Sequence, residues 1–190
     1  MKTFALAGQS RADMGKKATK AVRKSGNIPA IIYGGEKEVA FSVKKDDVRN
    51  LIYTPDIFVV DLTIDGNACK AIVQALQFHP VTDELLHIDF LQVNEEKPIL
   101  IEVPVKLDGL AEGVKQGGKL SLEIRKLKVK ALYTNVPERL IIDVTDLGLG
   151  KTIQVGQLAF DNMELMNAKN AVVCAVKLTR AARGAQAAKK

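Results

Sequence analysis

Lys16, Lys20 and Arg23 recur at i, i+4 and i+7, so a helix through them carries three cations on one face, with Lys17 and Lys24 beside them. Such a face attracts phosphate. His87 and Asp89 alternate with Leu86, Ile88 and Phe90, and in an extended strand the imidazole and carboxylate project together, opposite the apolar side chains. A His beside an Asp is part of a nucleophilic triad, but no Ser or Cys nucleophile shares their neighbourhood in sequence. The pair reads better as contacts to nucleic acid. An imidazole can stack or donate; a carboxylate accepts from guanine or cytosine amino groups and repels bare phosphate, which points to a base edge.

The elements that must hold these groups follow from their flanks. Ala18, Ala21 and Val22 form a narrow apolar stripe along the basic helix, and Gly26 and Pro29 end it. Ala30, Ile31, Ile32 and Tyr33 then read as a strand, closed by Gly34 and Gly35. Residues 2 to 9 and 38 to 43 are two further strands. A second helix follows, with Asp46 and Asp47 in its first turn and Val48, Leu51 and Ile52 buried. Residues 57 to 64 and 68 to 77 form a hairpin around Asp65-Gly66-Asn67, whose Asp-Gly step supplies the positive backbone angles of a tight turn. The strand bearing His87 and Asp89 spans 85 to 93.

Charge is distributed unevenly. Residues 1 to 34 hold seven cations (Lys2, Arg11, Lys16, Lys17, Lys20, Arg23, Lys24) against Asp13 alone, whereas residues 35 to 95 hold five cations against eleven acids. The two parts, plus six and minus six, cancel. A neutral unit with one concentrated positive end points that end at something anionic, and a groove of phosphates is the commonest such partner. The 190 residues hold one large or two small domains, and 47% hydrophobic residues suffice for packed cores. Low aromatic content, frequent Val and Ile, and many short apolar runs favour a mostly β, α+β architecture with few helices. No signal peptide or membrane-length apolar run is present, so the chain is expected to be cytoplasmic. Cys69 and Cys174 suit two reduced core thiols, and with only His79 and His87 besides, no zinc spacing arises and no metal or other cofactor is expected.

At NEEKP (94 to 98) the pattern breaks, as at a domain boundary, which divides the chain into residues 1 to 95 and 98 to 180, followed by a basic, Ala-rich tail at 181 to 190. The second domain's apolar runs lie at 99 to 107, 121 to 133, 138 to 147, 163 to 167 and 171 to 178. Pro104 is expected on an edge strand or at a bulge. Between residues 121 and 130 the buried side switches midway, so a bulge or change of sheet near Arg125 is expected, and with it a small β-sandwich. GLGKT (148 to 152) is not a phosphate-binding loop: Thr145 stands where that motif needs Gly, and the run sits between strands.

Arg11 followed by GKKATKAVRKSGNIPAIIYG (15 to 34), with QFHPVTDELLHIDFLQV (77 to 93), resembles the family of bacterial large-subunit ribosomal proteins numbered twenty-five, which bind 5S rRNA. EVPVKLDGLAEGVKQGG (102 to 118) resembles the opening of the second domain in that family's longer form, also called general stress protein CTC. The resemblance implies an N-terminal closed β-barrel with two or three short helices, a second β-rich domain, and binding to the loop E region of 5S rRNA, where non-Watson–Crick pairs widen a groove. It places RNA contacts at Arg11, Lys16, Thr19, Lys20, Arg23, Tyr33, Gln74, Gln77, His87 and Asp89. Two residues depart from the family pattern. Lys20 stands where Arg is common, keeping the charge but losing the bidentate fork, and Phe78 stands where a basic residue is common, able either to stack on a base or to pack.

The implied role is structural: a non-enzymatic component of the large ribosomal subunit, bound to 5S rRNA and neighbouring ribosomal components, without membrane or small-molecule substrate. Three other readings stay open at this point, one of them an enzyme that uses His87 and Asp89. An anticodon-binding appendage of a tRNA synthetase could share such a barrel, although no nucleotide-binding domain accompanies it, and a stress-induced ribosome-associated adaptor could act through the second domain.

Overall fold

Seven-residue alternation such as FVVDLTI, followed by Asp65-Gly66, leaves the chain no choice but to reverse and pair with itself. In the computed structural model, which describes residues 1–35 and 37–180, β4 (Phe58–Ile64) and β5 (Asn67–Phe78) are joined by that two-residue turn, with φ of 46° at Asp65 and 90° at Gly66. Both angles positive is the turn whose twist matches a hairpin. The basic tail expected at 181 to 190 lies outside the described residues.

The chain divides into two compact units between Lys97 and Pro98. The first contains β1 (Lys2–Ser10), α1 (Lys16–Lys24), β2 (Asn27–Tyr33), β3 (Val39–Lys44), α2 (Arg49–Ile52), β4, β5 and β6 (Leu85–Gln92). Its six strands close into a barrel in the order β1-β3-β2-β6-β5-β4, sealed by parallel pairing of β1 with β4 from Lys2↔Phe58 to Gly8↔Ile64. Closure leaves no sheet edge to aggregate. Phe41, Val60, Leu62, Ile88 and Phe90 fill the interior with Leu6, Ile28 and Ile32, and Phe41 meets Phe90 at a ring-centroid distance of 5.6 Å. Among the described residues no polar or charged residue is buried.

Several local expectations change in three dimensions. The strand expected from Ala30 begins at Asn27 and takes in Pro29. Pro29 has no N–H to donate, but the parallel ladder to β6 starts one residue later, at Ala30↔Ile88. The second helix is a single turn, and Asp46 and Asp47 lie in the turn before it. In the basic helix Ala18 and Val22 are half-buried, whereas Ala21 is exposed. At the start of β6 it is Leu85 that is buried and Leu86 only partly so, because the register with β5 shifts between Gln77 and Phe78.

The second unit holds β7 (Ile99–Asp108), α3 (Glu112–Lys115), β8 (Lys119–Leu122), β9 (Lys126–Ala131), β10 (Leu140–Asp143), β11 (Thr152–Gln154), β12 (Glu164–Leu165) and β13 (Val172–Lys177). They form a four-stranded sheet, β10-β7-β9-β12, and a three-stranded one, β11-β13-β8. The run from 121 breaks at Glu123 to Arg125, as its switch of buried side requires: β8 belongs to one sheet and β9 to the other. Pro104 is not on an edge, since β7 has neighbours on both sides. It is tolerated as Pro29 is, one residue before a parallel partner joins, here β10 at Val105↔Leu140. Thr152 opens a strand and not a helix, in keeping with the rejection of a phosphate loop. Cys69 and Cys174 are free thiols, one in each unit, and burial raises the pKa of both.

Candidate nucleic-acid interface

α1 lies on the outside of the barrel unit, with no buried residue along its length. Lys16, Lys17, Lys20 and Lys24 are exposed and, among the described residues, none has a carboxylate partner. Among those residues nothing neutralises their charge. Arg23 is different, because its Nε–H donates to the backbone carbonyl of Leu86 on β6 at 3.1 Å. That bond ties the C-terminal turn of the helix to the strand carrying the imidazole and carboxylate, one residue before His87.

Along β6, His87 Nδ1 and Asp89 Oδ1 lie 2.6 Å apart, with both side chains one quarter exposed. Register fixes their neighbours. Gln77 on β5 stands opposite His87, Ala75 opposite Asp89, and on the other side β2 pairs Ile31 with Asp89 and Tyr33 with Leu91. Inward-facing Ala30, Ile32, Ile88 and Phe90 are buried, so Tyr33, His87 and Asp89 share the outer face with exposed Gln77. From His87 to Leu91 this strip runs about 13 Å along the strand. The structure thus brings together Arg23, Gln77, His87, Asp89 and Tyr33, with the lysines leading away along the helix.

The other expected contacts are placed differently. Gln74 is the extra residue of a bulge, between Val73↔Phe90 and Ala75↔Asp89, so its exposed side chain escapes the alternation of β5. The Thr19 hydroxyl donates to the Gly15 carbonyl at 2.8 Å, which leaves only its lone pairs and methyl group for an outside partner. Arg11 is half-buried: its backbone N–H donates to the Ala40 carbonyl, its Nη2 to the backbone carbonyl of Asp13, and its Nε and Nη1 are covered and, among the described residues, without a partner. Phe78 packs on Tyr53, ring centroids 6.5 Å apart, and both rings keep an exposed edge. One role went unread in the sequence. His79 Nδ1 accepts the backbone N–H groups of Val81 and Thr82, which makes that imidazole the cap of the turn between β5 and β6; the His-Pro step was the available signal.

Tyr33 gives the strip a measurable electrostatic signature. Burial first, and the Asp89 carboxylate second, push the phenol above its ordinary range. The alkaline difference spectrum between the parent chain and Tyr33→Phe should show a phenolate step displaced upward from about 10, and Asp89→Asn should lower it only in part. Because the raised value belongs to the folded state, this contribution to stability is complete below about pH 10 and is lost as pH rises through the folded value. A step at the ordinary tyrosine position would place Tyr33 away from Asp89.

A closed barrel with a cationic helix on its wall and a polar strip beside it is the build of a binding module. The ribosomal L25p family model matches residues 6–90, and that of the ribosomal protein TL5 C-terminal domain matches residues 98–180. Large ribosomal subunit protein bL25 of Porphyromonas gingivalis strain ATCC 33277 is 67% identical over 187 residues, covering 97% of each chain. The proteins of that name from Parabacteroides distasonis and Bacteroides thetaiotaomicron are 63% and 59% identical, over 98% and 90% of this chain and 99% and 88% of their own. These relatives place the fold among ribosomal proteins, which are not enzymes. The chain belongs to the ribosomal L25p family, in the form that carries a TL5-type C-terminal domain.

Proposed function

We propose that this chain is a structural component of the large ribosomal subunit and that its barrel unit, residues 1 to 95, binds 5S rRNA at the loop E region. Lys16, Lys20 and Arg23 take phosphates and set the register. Tyr33, Gln74, Gln77 and His87 test base edges and ribose hydroxyls, with Asp89 paired to His87 and with Thr19 and Arg11 at the margin of the contact. Ordinary A-form RNA hides its base edges in a deep, narrow major groove, so a helix-bearing surface of this kind needs a groove opened by irregular pairs.

The observation that supports the reading is the bond from Arg23 to the Leu86 carbonyl, which ties the cationic helix to the strand that carries His87 and Asp89. The test is filter binding of the full chain to 5S rRNA, to 5S rRNA with loop E replaced by regular duplex, and to tRNA, each at several salt concentrations. Tighter binding to intact 5S rRNA, with the margin lost on replacing loop E, is expected. Equal affinity for all three, or preference for tRNA, would sink the proposal.

A further inference from the structure

The contact between His87 and Asp89 says more than that both groups face outward. A carboxylate only accepts hydrogen bonds, so at 2.6 Å the proton between the two side chains sits on His87 Nδ1. In a neutral imidazole the second nitrogen, Nε2, then carries a lone pair and no hydrogen. The elements packed around the ring leave that arrangement in place. β2 contributes Tyr33 beside Asp89, α1 contributes Arg23, whose Nε is engaged by the Leu86 carbonyl, and β5 contributes the uncharged Gln77 and Ala75. Asp89 Oδ1 is occupied by the imidazole, and the carboxylate is three-quarters covered.

We infer that Asp89 serves RNA recognition as a positioning residue, holding His87 in the Nδ1–H tautomer so that His87 Nε2 accepts from a hydrogen-bond donor on the RNA. The inference rests on the RNA-binding reading above and names the atom that does the reading. The donor is a base amino or imino group or a ribose 2′-hydroxyl; an acceptor such as a carbonyl or a purine N7 is rejected, because two lone pairs would then face each other. This changes the role expected for Asp89, from direct contact with a base to control of its neighbour. A carboxylate turned onto an imidazole also presents less bare negative charge to the phosphates around it.

The two histidines of the chain supply an internal control. His79 Nδ1 accepts two backbone N–H groups, so its proton must sit on Nε2, the tautomer opposite to that of His87. Long-range proton–nitrogen NMR of the full chain, with the imidazoles neutral and ¹⁵N-labelled and His87 assigned from His87→Gln, should show one ring of each kind. Asp89→Asn, whose carboxamide can donate as well as accept, should release the lock and admit the other tautomer at His87. In 5S rRNA binding, Asp89→Asn should cost roughly tenfold in the parent chain, a mismatched contact's worth, and nothing further in a His87→Ala background. An Nε2–H tautomer at His87, or an Asp89→Asn loss as large with His87→Ala as without it, overturns the inference. A parent chain that shows the expected tautomers but no preference for 5S rRNA overturns the reading beneath it, and the RNA contact with it.

Discussion

Arg23→Ala should weaken binding of the full chain to 5S rRNA roughly tenfold, about 1.4 kcal/mol, and flatten the slope of log affinity against log salt by about one. The slope follows from counterion release: each phosphate neutralised contributes somewhat less than one unit, so removing one cation removes one contact's share. The affinity loss is set on the scale of one charge-assisted hydrogen bond. Arg23 should exceed Lys16 and Lys20 in effect, because its Nε is anchored on the Leu86 carbonyl and its guanidinium is held in place before RNA arrives. The two lysines reach solvent without such an anchor and must be ordered on binding. Arg23→Lys separates the two contributions. It should keep the salt slope while losing part of the affinity. An unchanged slope for Arg23→Ala would remove this residue from the phosphate contact.

Phe41→Ala should destabilise the barrel unit by about 3 to 5 kcal/mol, a large share of the roughly 5 to 15 kcal/mol that holds a domain together. The ring is fully buried against Phe90, and the wall facing it cannot move in to fill the space. That wall is Gly8, where even a single Cβ would sit 2.6 Å from the Phe41 ring; β1 has surrendered its side chain there to make room. With Phe41 gone the position offers neither ring nor neighbour, and the cavity persists. Urea unfolding followed by the amide signals of each unit would show it. The midpoint for residues of the barrel should fall, while that of the residues from Pro98 onward should hold, because their buried Val103, Leu127, Val129 and Val173 form a core of their own. A loss under about 1 kcal/mol would mean that the barrel repacks around the gap.

Much of this protein is local in the sequence. The hairpin at Asp65-Gly66, the basic helix and the switch of buried side before Lys126 follow from turn chemistry and from periods of two and 3.6 residues, which act over fewer than a dozen positions. The pairing of His87 with Asp89 is local too, since i and i+2 on a strand must project together. Other features depend on partners far along the chain. Closure of the barrel needs β1 to lie parallel to β4, some fifty residues away, and no turn signal announces a parallel pair. Pro29 reads as the stop of a helix and Pro104 as an edge or bulge residue until the register shows that each lies in a strand whose parallel neighbour joins only at the next residue. The fate of individual cations is likewise tertiary: a run of Lys and Arg reads as uniform charge, yet Arg11 is folded in against Ala40 and Asp13, Arg23 is tied to Leu86, and the lysines stand free of carboxylate partners among the described residues. Sequence by itself determined which groups could meet a nucleic acid and on which element each sits, because side-chain type and period are written there. Only the tertiary structure decided which of them share a surface, because strand register and the bond from Arg23 to Leu86 join segments about sixty residues apart.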